Sequence, residues 1–430
     1  MDLDLLRAAL DHAPLERVRG RLLQAVGPLL EAEMPGASVG ALCSVGESCL
    51  CEVVGFRERR ALLMPLGDTT GVRFGADVWW RAEAVTVPVG EELLGRVVDG
   101  LGQAMDGGPP IACRERRQVR ATSPDPLKRS LIVDPIRTGV RAIDGLLTIG
   151  RGQRIGVMAG SGVGKSTLMG MLARHVEADV NVICLVGERG REVREFIEHS
   201  LGKEGLRRSV VVVVTAEQSA ALRVKAAFLA TTIAEWFRDR GQDVLLMVDS
   251  LTRMGLAQRE IGLASGEPPT TRGYTPSVFT LLPRLLERAG PGDNGGSITG
   301  IYNVLIEGDD IHDPIGDAVR GIVDGHIMLS RKLASHGHYP AIDILGSLSR
   351  LMTQVVSDDH LALAMQLRDL MATWDENEEL VRLGAYRKGS APEVDRAIDK
   401  EPLVRAFLRQ GTAEDAGWES TIVGMAQVVS

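Results

Sequence analysis

A glycine-rich turn between a strand and a helix narrows the fold of this chain more than any other stretch. Arg154-Ile155-Gly156-Val157-Met158 reads as a short buried strand, and Leu168, Met171 and Leu172 recur at helical spacing. Between them, Ala159-Gly160-Ser161-Gly162-Val163-Gly164-Lys165-Ser166-Thr167 follows the pattern of a phosphate loop. A polyphosphate needs successive backbone N–H groups pointing inward, and glycine lets the backbone curl and approach that closely. The helix N-terminus adds positive potential, Lys165 reaches the outer phosphates, and the Ser166 hydroxyl suits Mg²⁺. Gly160 to Gly164 with Lys165, Ser166 and Thr167 are therefore the expected nucleotide-binding residues. Ala159 stands where the motif has its first glycine, so that position must tolerate a Cβ. An ordinary glycine-rich turn is the bland alternative. The flanking strand and helix favour a nucleoside triphosphate.

At 430 residues, the chain has room for two to three domains at a prior of ~150 residues each. Its net charge of −8 argues against general nucleic-acid binding, and an aromatic content of 4% leaves few rings for stacking bases. No apolar run approaches the ~20 residues of a membrane span, and the acidic start Met1-Asp2-Leu3-Asp4 does not read as a signal peptide. Cys43, Cys49, Cys51, Cys113 and Cys184 lack paired metal spacing, and free thiols in a reducing cytoplasm are expected.

Along the chain, residues 4–13 suggest a short helix stopped by Pro14. Extended segments at 19–26, 39–45, 51–56, 61–66 and 79–87, separated by turn residues, predict a small β-barrel or sandwich. Trp79-Trp80 reads as packing rather than a base platform, since no basic groove accompanies it. Arg114-Glu115-Arg116-Arg117 reads as a solvated surface. From residue 132 to about 351, strands and helices alternate as a mostly parallel sheet requires. Strands are expected at 181–186, 210–214, 244–248, 298–306 and 325–329. A helical face carries Val193, Phe196, Ile197 and Leu201, and a longer one runs from Leu222 to Phe237. Gly290 to Gly296 reads as a flexible loop. Beyond Met352 the pattern is helical throughout, with Asp358-Asp359-His360 expected to cap and open a helix. The predicted domains are 1–92, 93–355 and 356–430.

Two further strand ends carry chemistry. Leu245-Leu246-Met247-Val248-Asp249 puts a carboxylate at the C-terminal end of a buried strand, where sheet ligands sit, and suits it to Mg²⁺ or its water. Gly187-Glu188-Arg189 follows another strand. Hydrolysis needs a carboxylate for the attacking water and a cation near the γ-phosphate, which Glu188 and Arg189 can supply. A surface turn before a charged helix is the equal alternative on composition alone. His336 and His338 lack further clustered ligands and read as a loop beside the nucleotide.

The phosphate loop, Gly187-Glu188-Arg189 and Val248-Asp249 together resemble the catalytic subunits of rotary ATPases and their hexameric relatives. Glu188-Arg189-Gly190-Arg191-Glu192-Val193-Arg194-Glu195-Phe196 looks like the ATPases of type III protein export. So do Gly266-Glu267-Pro268-Pro269-Thr270-Thr271-Arg272-Gly273-Tyr274, Pro283-Arg284-Leu285-Leu286-Glu287-Arg288-Ala289-Gly290 and His338-Tyr339-Pro340-Ala341-Ile342-Asp343. Glu307-Gly308-Asp309-Asp310 with Asp324-Gly325-His326 is closer to the flagellar branch. The resemblance covers the chain from about Val18.

It implies an α/β fold: a RecA-like P-loop core with a mostly parallel sheet, a small β-barrel domain before it and a C-terminal helical domain after it. The implied activity is ATP hydrolysis with Mg²⁺, energising export through a flagellar or type III secretion apparatus. By matching positions, Lys165 and Ser166 bind phosphate and Mg²⁺, Asp249 is the metal-side carboxylate, and Glu188 is the catalytic carboxylate. Arg189 touches the γ-phosphate with Glu192 supporting it, Arg253 points toward the site, and Tyr339 packs on adenine. Arg350, in Gly346-Ser347-Leu348-Ser349-Arg350, matches the arginine finger that enters a neighbour's site. The implied partners are a homohexameric ring, a stator-like negative regulator, a coiled-coil central stalk protein, an export gate and chaperone–substrate complexes. The implied location is cytoplasmic, peripheral at the inner membrane. Competing readings are a rotary F- or V-type catalytic subunit, a virulence secretion ATPase, a non-catalytic ring subunit and, more distantly, an RNA translocase.

Overall fold

Alternating apolar residues build the N-terminal unit. The computed structural model describes residues 19–306, 310 and 312–430. Strands β1 (Arg19–Val26), β2 (Leu29–Glu33), β3 (Leu42–Val45), β4 (Cys49–Arg57), β5 (Arg60–Pro65) and β6 (Asp77–Ala82) close into a barrel in the order β1-β2-β5-β4-β3-β6. Cys43 and Val45 on β3 and Cys49, Cys51 and Val53 on β4 point inward at every second position. The cysteines are free thiols filling that core. On the outside, Glu52 pairs with Lys225 at 2.7 Å and Arg120 at 2.9 Å, tying the barrel to the following domain.

The structure adds strands that the residue pattern did not suggest. Residues 79–87 divide at a break into β6 and β7 (Thr86–Val89), and β2 escaped notice because Gly27-Pro28 leaves so short a run. The 114–117 run is not a plain solvated surface. Its last three residues lie in β9 (Glu115–Gln118), which pairs antiparallel with β7, while Glu115 binds Arg240 and Trp236 Nε1 and Arg117 binds Asp239. The predicted helix at 4–13 and residues 307–309 lie outside the described residues.

A nine-stranded sheet forms the centre, with main path β17-β16-β10-β15-β13-β11-β12-β8. It comprises β8 (Val97–Val98), β10 (Arg154–Ala159), β11 (Val180–Glu188), β12 (Ser209–Thr215), β13 (Asp243–Asp249), β15 (Ser297–Leu305), β16 (Gly325–Leu329) and β17 (Ile342–Ser349). The short β14 (Gly290–Pro291) pairs with β15, so the 290–296 loop is a hairpin. All main-path pairs are parallel except β16–β17. Both faces are covered, which accounts for the unbroken apolar runs. Val244, Leu246 and Val248 face one core, while Leu245 and Met247 face the other.

The first core packs under α5 (Ala220–Arg238), α6 (Leu251–Ser265), α7 (Pro276–Leu286) and α8 (Pro314–Ile322). The second packs under α1 (Arg141–Leu146), α2 (Lys165–His175), the helical stretch α3 (Gly190–Glu195) to α4 (Gly202–Arg207), and the C-terminal helices. These last, after α9 (Arg331–Ser335) and α10 (Met352–Val355), are α11 (Asp358–Arg382), α12 (Pro392–Leu408) and α13 (Trp418–Val429). Ser357, not Asp358, caps α11: its hydroxyl accepts from the His360 N–H, and the two aspartates fill the first turn. His360 is buried and bonds the Gly145 carbonyl at 2.8 Å, joining α11 to α1. Among the described residues, no helix is long and apolar enough to cross a membrane.

Candidate active site

Because the central strands run parallel, Ala159, Glu188, Asp249 and Leu305 all end at one edge of the sheet. The loop after β10 turns on Gly162 and Gly164, at φ 77° and 95°, and Lys165 then opens α2. Both angles are left-handed, where a Cβ is strained. Ala159 does not share that constraint. It is still in β10, paired with Leu305, and its side chain is buried in the core beneath α2.

Strand order brings the charges together. β11 and β13 are neighbours, so Glu188 and Asp249 lie side by side, and Lys165 reaches across β15 to both. Lys165 Nζ is ion-paired with Asp249 Oδ1 and lies 3.8 Å from Glu188 Oε1. Arg253, in the first turn of α6, pairs with the same Glu188 oxygen. That approach depends on Gly187, at φ 68°, where a Cβ would stand 3.1 Å from Arg253 Cδ. Thr252 also stitches the edge, its hydroxyl accepting from Leu305 N–H at 2.9 Å.

Burial pushes the Glu188 carboxyl above its ordinary value, and its hydrogen bond to Glu192 adds to this; Arg253 and Lys165 oppose the rise. Asp249 is raised mainly by burial, with Lys165 pulling the other way. Glu192, hydrogen-bonded to Glu188, is held low. Two carboxylates that resist ionisation therefore sit against two cations at the mouth of a phosphate loop, which suits proton abstraction from water and cation binding.

The remaining expected residues fall at different distances from this cluster. Ser166 and Thr167 are exposed at the start of α2, open to a ligand. The Tyr339 ring lies against Gly164, where a Cβ would be 3.3 Å from it, and is 40% exposed. Arg189 is not drawn in: its side chain is 80% exposed and meets Glu192 at 3.8 Å. Arg350 is farther still. β17 runs antiparallel, with Ile342 beside Leu329 at the phosphate-loop edge and Ser349 beside Gly325 at the opposite edge. Eight strand residues at ~3.3 Å each separate these ends, so the exposed Arg350, bonded to Arg320 O at 3.2 Å, cannot reach its own phosphate loop.

Sequence reading missed Arg331, whose Nη1 donates to the Ser161 carbonyl at 3.2 Å. Its signal was available: it follows β16 at the same ligand-bearing edge.

A phosphate loop at the end of β10, with buried carboxylates closing β11 and β13, defines a P-loop ATPase of the ATP synthase type. Residues 139–349 match the nucleotide-binding domain of the ATP synthase alpha/beta family, and residues 356–427 match the T3SS EscN ATPase C-terminal domain. The chain is 50% identical to the flagellum-specific ATP synthase of Bacillus subtilis, covering 95% of this chain and 94% of that one. It is 52% identical to the type 3 secretion system ATPase of Xanthomonas euvesicatoria, covering 94% and 92%. Its structure resembles that of the assembled ATPase EscN from the enteropathogenic E. coli type III secretion system, with a TM-score of 0.92 and 47% identity over 96% of this chain and 100% of that one. The chain belongs to the family of flagellum-specific and type III secretion ATPases.

Proposed function

We propose that the chain hydrolyses ATP to drive protein export, as a homohexameric ring whose sites lie between subunits. The observation that carries this is the separation of Arg350 from its own Lys165–Glu188–Asp249 cluster by the length of the sheet. A guanidinium so placed serves a neighbour's γ-phosphate, and EscN has been solved as an assembled ATPase.

In this reading the inward N–H groups of residues 160–164 hold the polyphosphate, and Lys165 exchanges Asp249 for phosphate. Glu188 orients and deprotonates the attacking water, Arg253 keeps that carboxylate aimed, and Arg350 of the adjoining copy meets the developing charge. Arg189 and Glu192 support the rim, and Tyr339 offers its exposed ring to adenine. The Ser166 hydroxyl and Asp249 carboxylate form a hard oxygen pair suited to Mg²⁺, and the Lys165 ammonium resting on Asp249 shows that this position accepts positive charge. Mg²⁺ would offset charge on the outer phosphates there.

The units of this reading are residues 1–92, 93–355 and 356–430. A central stalk is the best-supported partner, because EscN has been solved with its central stalk EscO. A negative regulator, an export gate and chaperone–substrate complexes complete the proposed set, with the ring cytoplasmic and peripheral at the inner membrane. Relatives from flagellar and virulence systems match about equally well, and Asp324-Gly325-His326 inclines the reading to the flagellar branch. Deleting the gene and scoring flagellar filaments against effector secretion decides between them. Mixing inactive Lys165→Ala with inactive Arg350→Ala subunits tests the shared site. Recovered hydrolysis is expected, because some interfaces then hold an intact loop and an intact finger; no recovery refutes sharing.

A further inference from the structure

We propose that Arg331 is a positioning residue for the phosphate loop, acting through the Ser161–Gly162 peptide to aim the Gly162 N–H at the bound polyphosphate. The inference rests on the reading of ATP as substrate. In a trans peptide the C=O and the following N–H point in opposite directions. Arg331 Nη1 holds the Ser161 carbonyl, so the Gly162 N–H turns to the other side.

Strand order says which side that is. Arg331 follows β16, one neighbour of β10, whereas Glu188 and Asp249 close β11 and β13 beyond the other neighbour. The Gly162 N–H therefore faces the carboxylate side, where the phosphates must lie for chemistry. Gly162 itself has φ 77° and open space around its Cβ position, so nothing else local to that residue crowds it into one orientation.

Arg331 is also mounted firmly enough for the task. Ser330 caps α9, accepting from Leu333 N–H at 3.3 Å. Lys332 pairs with Glu378 of α11 at 2.6 Å. Arg409 donates to His336 O at 3.3 Å, and Gln410 N–H donates to Tyr339 O at 2.9 Å. The same short segment thus meets the loop twice, by Arg331 at Ser161 and by the Tyr339 ring at Gly164. A planar guanidinium suits such a fixed contact, and an ammonium at the same place retains charge but less directionality.

The test uses the full-length chain as Arg331→Gln and Arg331→Lys, with Lys165→Ala as reference. Steady-state ATP hydrolysis, calorimetric ADP binding and thermal melting are measured. Arg331→Gln is expected to raise the KM for ATP and the Kd for ADP about tenfold, the scale of one charge-assisted hydrogen bond, with kcat changed less than about threefold. The N–H contact exists in ground and transition states alike, which is why KM moves and kcat does not. Arg331→Lys should recover most of the affinity, with melting unchanged in both variants. Unaltered ADP affinity in Arg331→Gln, while Lys165→Ala abolishes binding, overturns this proposal and leaves the ATPase reading intact. A large kcat loss at constant KM overturns it by placing Arg331 on the reacting phosphate. Lowered melting without rescue by lysine overturns it in favour of a structural role. Absence of nucleotide binding by the unaltered protein refutes the ATPase reading itself.

Discussion

Replacing Arg253 with methionine should move the acid limb of the kcat–pH profile upward by about one unit. Arg253 holds the Glu188 carboxylate directly, and Glu188 is already raised by burial. A charge-assisted hydrogen bond is worth ~1.5–3 kcal/mol, or about one to two pK units at 1.36 kcal/mol each. Arg253 is partly solvated, and Lys165 stays 3.8 Å from the same oxygen, so the lower end applies. In the proposed mechanism Glu188 works as the carboxylate, and a raised pKa keeps the inactive protonated form to higher pH. Activity in the unaltered enzyme therefore rises with pH through a midpoint above the ordinary ~4.3 of glutamate, and Arg253→Met carries that midpoint higher. The assay is phosphate release at saturating ATP across the acid range, with folding confirmed at each pH. An unmoved limb, or one displaced downward, refutes the assignment of Glu188 as the titrating base held by Arg253.

Other outcomes follow from the same geometry. Glu188→Gln should cut hydrolysis by ~10²–10⁴, the range for a lost general base, while ADP binding by calorimetry persists. Gly187→Ala forces a Cβ into a left-handed backbone and against Arg253, so it should cost ~1–2 kcal/mol in denaturant titration and lower kcat. Lys225→Met leaves Glu52 buried beside the exposed Arg120 alone and should destabilise by ~3–5 kcal/mol in chemical unfolding, whereas pairing it with Glu52→Leu should restore much of the loss. If the proposed shared site holds, Arg350→Ala should abolish the rise in specific activity with protein concentration.

Much of this molecule is written locally. The phosphate loop is contiguous in sequence, Gly162 and Gly164 are demanded by their backbone angles, and the runs ending in Glu188 and Asp249 are apolar because both sheet faces are covered. Local pattern therefore sufficed for the strand–loop–helix core, the parallel sheet and the two carboxylates. Other features depend on which strands become neighbours, and no window of sequence carries that. The placement of β11 beside β13 puts two raised carboxylates on one lysine. The antiparallel β17 sends Arg350 to the far edge, and β16 beside β10 brings Arg331 to Ser161. Strands β2, β8 and β17 were invisible because their pairing energy comes from distant partners rather than their own residues. Residue types determined that a nucleotide could be held; the order of the strands decided which charges gather at the phosphate loop and which, like Arg350, lie at the far edge.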